Sequence, residues 1–127
     1  MKFKDEGSEV YKKSDFKQAE ILFERALDFV EWEKGDHIVE LKVKLLLNIT
    51  LIAKNSENYI KALSKINWAI NLDPTNPKCY YRKGAIYEVQ HDFSEAVFWY
   101  KKGLEYEPGN RDLKSAIRGV YQKKKEY

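Results

Sequence analysis

Pro74 and Pro108 stand 34 residues apart, and the residues before them keep step. Tyr59 and Phe93, Ala62 and Ala96, and Asp73 and Glu107 share that offset. A fixed period of this size is the signature of stacked helix pairs. One such pair cannot bury its own apolar face, so neighbours must stack, and the stack forms a curved groove. A groove directs attention to binding and to the residues that line it.

Helical spacing runs almost from end to end, and glycine and proline are scarce. From Phe16 onward, Ala19, Leu22, Phe23, Ala26, Leu27 and Val30 recur at steps of three and four, one apolar stripe on a helix. Asp15 and Gln18 have the spacing of a capping box. Gly35 breaks the pattern, and a second long helix is predicted from Asp36 to Lys54. Asn55 to Asn58 is a turn, and Ile60 to Leu72 the next helix, with Ala62, Leu63, Ile66, Ala69 and Ile70 on one side. Asp73-Pro74-Thr75-Asn76-Pro77 stops one helix and starts another, with Pro77 suited to a first helical turn. Helices follow over Lys78 to Gln90 and Phe93 to Glu105, joined at His91-Asp92. A last helix carries Leu113, Ala116, Ile117, Val120 and Tyr121. With the segment before Asp15, the expectation is seven helices: three antiparallel pairs and a lid.

Composition removes several classes of function. A length of 127 residues suits a single domain with one continuous core. The net charge of +3 is too small for a whole-surface case for nucleic acid. Lys123, Lys124 and Lys125 form the one local basic run, read as a solvated helix end. Cys79 is the sole cysteine, which favours a reducing setting, and the start Met-Lys-Phe-Lys-Asp-Glu has no apolar leader stretch. No run is long and apolar enough to span a membrane. The expectation is a cytoplasmic module, without membrane or nucleic-acid partner, that begins and ends inside helical pattern as a part of a longer chain would. His37 and His91 have no cysteine at metal spacing, and no glycine-rich phosphate loop occurs, so neither metal nor cofactor is expected.

Tyr80, Gly84, Tyr87, Phe93, Ala96, Tyr100 and Pro108 follow one another at offsets that resemble a tetratricopeptide repeat. Ile49, Tyr59, Ala62, Ala69 and Pro74 repeat the pattern, with Thr50 where the family has Gly or Ala. Phe3, Gly7, Phe16, Ala19, Phe23 and Ala26 carry it a third time, without the closing proline. Gly7, Gly84, Ala19 and Ala96 let paired helices approach closely. The resemblance implies an all-α superhelix of three helix pairs plus a C-terminal capping helix. Its repeats would be about 1–33, 43–76 and 77–110, with an insertion at about 34–42 and the cap at about 111–127. Lys4-Asp5-Glu6-Gly7-Ser8, Leu47-Asn48 and Lys78-Cys79-Tyr80-Tyr81-Arg82-Lys83-Gly84 resemble most the repeat domain of the large FK506-binding immunophilins. In those proteins the module follows a prolyl-isomerase domain, which this sequence does not contain.

The same resemblance implies a site. Lys4 and Ser8, Asn48, and Lys78 and Arg82 stand at the positions of the two-carboxylate clamp of co-chaperone repeat domains. That clamp holds the C-terminal Glu-Glu-Val-Asp tail of a heat shock protein 90 or 70 chaperone. The residue types suit the task. A C-terminal aspartate offers two carboxylates; lysine supplies a charged donor, arginine a fork, and asparagine an amide N–H. Lys4 and Asn48 would take the terminal carboxylate, and Lys78 and Arg82 the side-chain carboxylate and backbone. Ser8 replaces the usual asparagine and is short enough to need a bridging water. No catalytic residue is implied. The rival readings are the regulatory part of a longer FKBP-type prolyl isomerase and a general assembly scaffold with another partner. The last helix, with lysines beside Leu113, Ile117, Val120 and Tyr121, also has the pattern of a calmodulin target. The reading preferred for its apolar stripe is packing on the third pair, with the calmodulin target as the alternative. Trp32, Trp68 and Trp99 read as packing or surface aromatics, and Tyr11 as a residue at the groove's border, with core filler as the alternative. Cys79, without a base in view, does not read as a nucleophile.

Overall fold

Each apolar stripe from Phe16 onward coils into a helix, and no strand occurs among the described residues. The computed structural model describes residues 16–30 and 35–126. Among these residues six helices form: α1 Phe16–Val30, α2 Asp36–Asn55, α3 Tyr59–Leu72, α4 Pro77–Val89, α5 Phe93–Tyr106 and α6 Arg111–Glu126. The expected first helix, the Asp15 cap and Trp32 lie outside the described residues. The boundaries differ from expectation by a residue at several ends, where caps decide the matter. Asn58 and Asn76 start α3 and α4 one residue earlier than periodicity alone suggests.

The helices divide into two units, one ending at Asp73 and the other beginning at Pro74. In the first, α2 packs on both α1 and α3. Its composition explains why it lies inside. Val43, Leu45, Leu46, Leu47, Ile49, Thr50, Ile52 and Ala53 are buried, so apolar residues occupy most of its circumference. The whole predicted stripe of α1, Ala19, Leu22, Phe23, Ala26, Leu27 and Val30, is buried as well. Thr50 satisfies its hydroxyl within its own helix, donating to the Leu46 carbonyl at 2.7 Å. Lys61 of α3 pairs with Glu20 at 2.8 Å and Glu24 at 3.2 Å on α1, and Lys65 joins Glu24 at 3.5 Å. Burial alone would pull the Lys61 ammonium down, but the two carboxylates outweigh it and raise its pKa.

In the second unit α4 and α5 form a hairpin, and α6 closes it. The core there is Ala96, Val97, Tyr100, Leu113 and Val120, with Tyr81, Tyr87, Phe93, Leu104, Ala116 and Ile117 packed around it. The apolar stripe of α6 is thereby committed to packing: Leu113 and Val120 are fully buried. Glu88 fastens the three helices. Its carboxylate accepts from the Tyr100 hydroxyl at 2.8 Å and pairs with Lys123.

The period seen in the sequence recurs in the backbone. Glu57 and His91 both adopt left-handed conformations, with φ of 63° and 61°. Around them the hydrogen bonds repeat: Asn58 N–H to Ala53 C=O and Asp92 N–H to Tyr87 C=O, Glu57 N–H to Lys54 C=O and His91 N–H to Glu88 C=O. This is a Schellman closure, here with non-glycine residues at its left-handed position. Asn58 and Asp92 then cap α3 and α5. Asp73 and Glu107 end those helices with φ of −144° and −142°. Asn76 caps α4 from its side chain, and the Asn110 side chain accepts from Leu113 N–H at 2.9 Å.

Two buried phenols set an alkaline limit. Tyr80 donates to the Pro74 carbonyl at 2.5 Å and stacks between Trp99 and Tyr106. Burial, then the neighbouring Tyr106, push its pKa up to about 12. Burial and Glu88 push Tyr100 up as well. An unfolded tyrosine ionises near pH ~10. Both folded pKa values lie above that, so this stability is fully present below pH ~10 and is lost as the pH rises further. The melting temperature is expected to hold to about pH 10 and to fall towards pH ~12. Thermal melts followed by circular dichroism across this range check it. A Tyr80→Phe variant should show a shallower fall; an unchanged fall would show that Tyr80 is not responsible.

Candidate functional site

α4 carries three cations within six residues, and the fold treats them differently. Cys79, Tyr80, Lys83, Gly84 and Ile86 face inward. Lys83 is buried, with its ammonium 3.7 Å from the centre of the Trp99 ring. Trp99 in turn donates its indole N–H to Glu95 at 3.1 Å. Burial lowers the Lys83 pKa, with Glu95 opposing. Lys83 is therefore a packing element in a cation–π contact. The sequence offers little sign of this, because its partner is sixteen residues away on another helix.

Lys78 and Arg82 lie on the open side of the same helix, one turn apart. Lys78 is exposed and Arg82 half-buried. Neither side chain makes a hydrogen bond or ion pair among the described residues. Asn76 and Pro77 pin the start of α4, so Lys78 occupies its first turn. Two open cations one turn apart on a rigid helix form an anion-binding element whose arginine can grip a carboxylate with two N–H groups.

Asn48 belongs to the first unit, on α2. Leu45, Leu46, Leu47 and Ile49 around it are buried, whereas Asn48 is half-buried. Its amide is thus not sealed within the apolar run and keeps access to solvent. It makes no side-chain hydrogen bond among the described residues. It continues the line of Glu40 and Lys44, which pair at 3.8 Å. Lys4, Ser8 and Tyr11 lie outside the described residues. Cys79 is fully buried, and no group of three metal-ligating side chains occurs among the described residues. No helix among them is long and apolar enough to cross a membrane.

Residues 77–110 match the model of the tetratricopeptide repeat. The helix hairpins have the arrangement of tetratricopeptide repeat folds, and the chain is similar to proteins that include a co-chaperone and FK506-binding immunophilins. Among curated proteins it is similar to FK506-binding protein 59 of Drosophila melanogaster, with 24% identity over 98% of this chain and 29% of that protein. Among solved structures it is similar to the Hsp90 co-chaperone Cns1 from Saccharomyces cerevisiae. The TM-score is 0.81 and the identity 25%, over 98% of this chain and 39% of that one. It shares the fold of the first tetratricopeptide domain of Spaghetti (RPAP3), solved bound to the HSP90 peptide SRMEEVD. There the TM-score is 0.73 and the identity 23%, over 94% of this chain and 88% of that one. The chain spans about a third of the length of the curated relatives it matches.

Proposed function

We propose that this domain is a co-chaperone adaptor that binds the acidic C-terminal tail of a heat shock protein 90 or 70 chaperone. Lys4, Ser8, Asn48, Lys78 and Arg82 are its carboxylate clamp. The observation that carries the reading is the pair Lys78 and Arg82, open on α4 and without an ion-pair partner among the described residues, while Lys83, Lys61 and Lys65 are all engaged. The half-open amide of Asn48 supplies an uncharged donor of the kind a terminal carboxylate needs. Two domains of the same fold support the choice of ligand: one solved with the HSP90 peptide SRMEEVD, the other with the HSP70 peptide SGPTIEEVD.

The test is calorimetry with a pentapeptide ending Glu-Glu-Val-Asp, free or amidated at its C-terminus. A charge-assisted hydrogen bond contributes about 1.5–3 kcal/mol. The free acid is expected to bind in roughly the micromolar range and the amide at least roughly tenfold more weakly. Equal binding of the two peptides would sink the clamp.

The curated relatives include peptidyl-prolyl cis-trans isomerases, of which the chain spans only a part. That favours a compatible second reading, in which the adaptor is the regulatory portion of a longer prolyl isomerase. The chain alone should then accelerate no prolyl isomerisation in a peptide assay, whereas the full-length protein should.

A further inference from the structure

The two sides of α6 differ in chemistry. Leu113 and Val120 are buried beneath it, with Ala116 and Ile117 packed against the same core. On the opposite side, Arg111, Lys114, Arg118 and Lys125 fall within an arc of about 60°, given 3.6 residues per turn. They extend over ~21 Å of helix. All four are exposed, and none makes a side-chain hydrogen bond or ion pair among the described residues. Lys123, by contrast, is turned towards Glu88, and Lys124 lies 5.8 Å from the Tyr121 ring centre. α6 holds six basic and two acidic residues, a net +4, against +3 for the whole chain. The remainder is therefore slightly acidic, and the positive field is concentrated on one helix. Like charges three and four residues apart repel along that row.

We propose that this row is a docking face for an anionic lipid surface. The occupant follows from shape and charge together. Within its unit the row lies on the side of α6 away from the core, a ridge to which the described residues of that unit add no walls to hold a peptide. Single-stranded nucleic acid calls for stacking aromatics; Tyr121 is the lone aromatic among residues 111–126. The sequence pI of 8.8 also falls short of the strongly basic range of nucleic-acid domains. A planar anionic surface needs neither walls nor stacking, only a cluster of cations on one side of a helix. The apolar stripe of α6 is already spent on α5, so the contact is peripheral and electrostatic, without insertion.

The test is co-sedimentation of the full chain with vesicles of phosphatidylcholine, alone or mixed with phosphatidylserine. Binding is expected only with phosphatidylserine and should disappear at high salt. Arg111→Gln with Arg118→Gln should weaken it roughly thirtyfold, about fivefold per cation. Lys17→Gln with Lys44→Gln removes the same net charge from α1 and α2 and should leave it unchanged. Circular dichroism verifies that both variants fold. Equal binding to uncharged vesicles, an equal loss in the control variant, or tighter binding to an RNA or DNA oligonucleotide at the same salt overturns the proposal.

Discussion

Gly84→Ala is expected to destabilise the domain by about 2–3 kcal/mol and to lower its melting temperature by about 10 °C. A Cβ at this position would lie 2.5 Å from Cε1 and 2.6 Å from Cδ1 of Tyr100. That is well inside van der Waals contact, so something must move. The ring has nowhere to go. Tyr100 is 2% exposed, its hydroxyl is held by Glu88, and Tyr81 sits against it with ring centres 5.8 Å apart. α4 and α5 must therefore separate, at the cost of packing along both. Removing the ring should remove the penalty: in a Tyr100→Leu background the same Gly84→Ala change should cost less than about 1 kcal/mol. Thermal melts of the four proteins decide it, and equal costs in both backgrounds would refute the account. The preceding pair already carries the compensated version. Thirty-four residues earlier, Thr50 stands where Gly84 does and Ile66 where Tyr100 does, both buried. A smaller partner there leaves room for a side chain in place of the glycine.

The second large effect concerns binding. Lys78→Ala with Arg82→Ala is expected to lower affinity for a Glu-Glu-Val-Asp peptide by at least about a hundredfold, from two charge-assisted contacts of about 1.5–3 kcal/mol each. Both side chains lie on the open face of α4, so the helical signal and melting temperature should hardly change. Arg82→Lys keeps the charge and loses the fork, and should fall between wild type and the double variant. Calorimetry on the three proteins reads this directly. A double variant that binds as the wild type does would remove Lys78 and Arg82 from the site, whatever the peptide's terminus contributes.

Much of the fold is legible in the sequence because its signals are local and repeated. The stripe on α1, the stop at Asp73-Pro74, Pro77 at the start of α4 and the turn at His91-Asp92 all rest on residues within a few positions of one another. The left-handed conformations at Glu57 and His91 are less legible, since glycine would announce them and neither is glycine. Contacts set by how one helix is rotated against another are harder still. Lys83 over Trp99, and Glu88 shared between Tyr100 and Lys123, join residues up to thirty-five positions apart. No periodicity encodes them. At the candidate site, the openness of Lys78 and Arg82 follows from the helical pattern of α4, whose opposite face carries Cys79, Tyr80, Gly84 and Ile86. The half-open setting of Asn48 does not follow, because a run of leucines reads as sealed on every side.

The matching dihedral angles at Asp73 and Glu107, and the matching asparagines that follow them, have a consequence for how such a chain can grow. A duplicate of residues 77–110 spliced in after Asn110 would meet the same joint at each seam. Lengthening by whole copies thus requires no new connector, provided every insertion precedes α6, whose charged outer row could not be covered by a further hairpin.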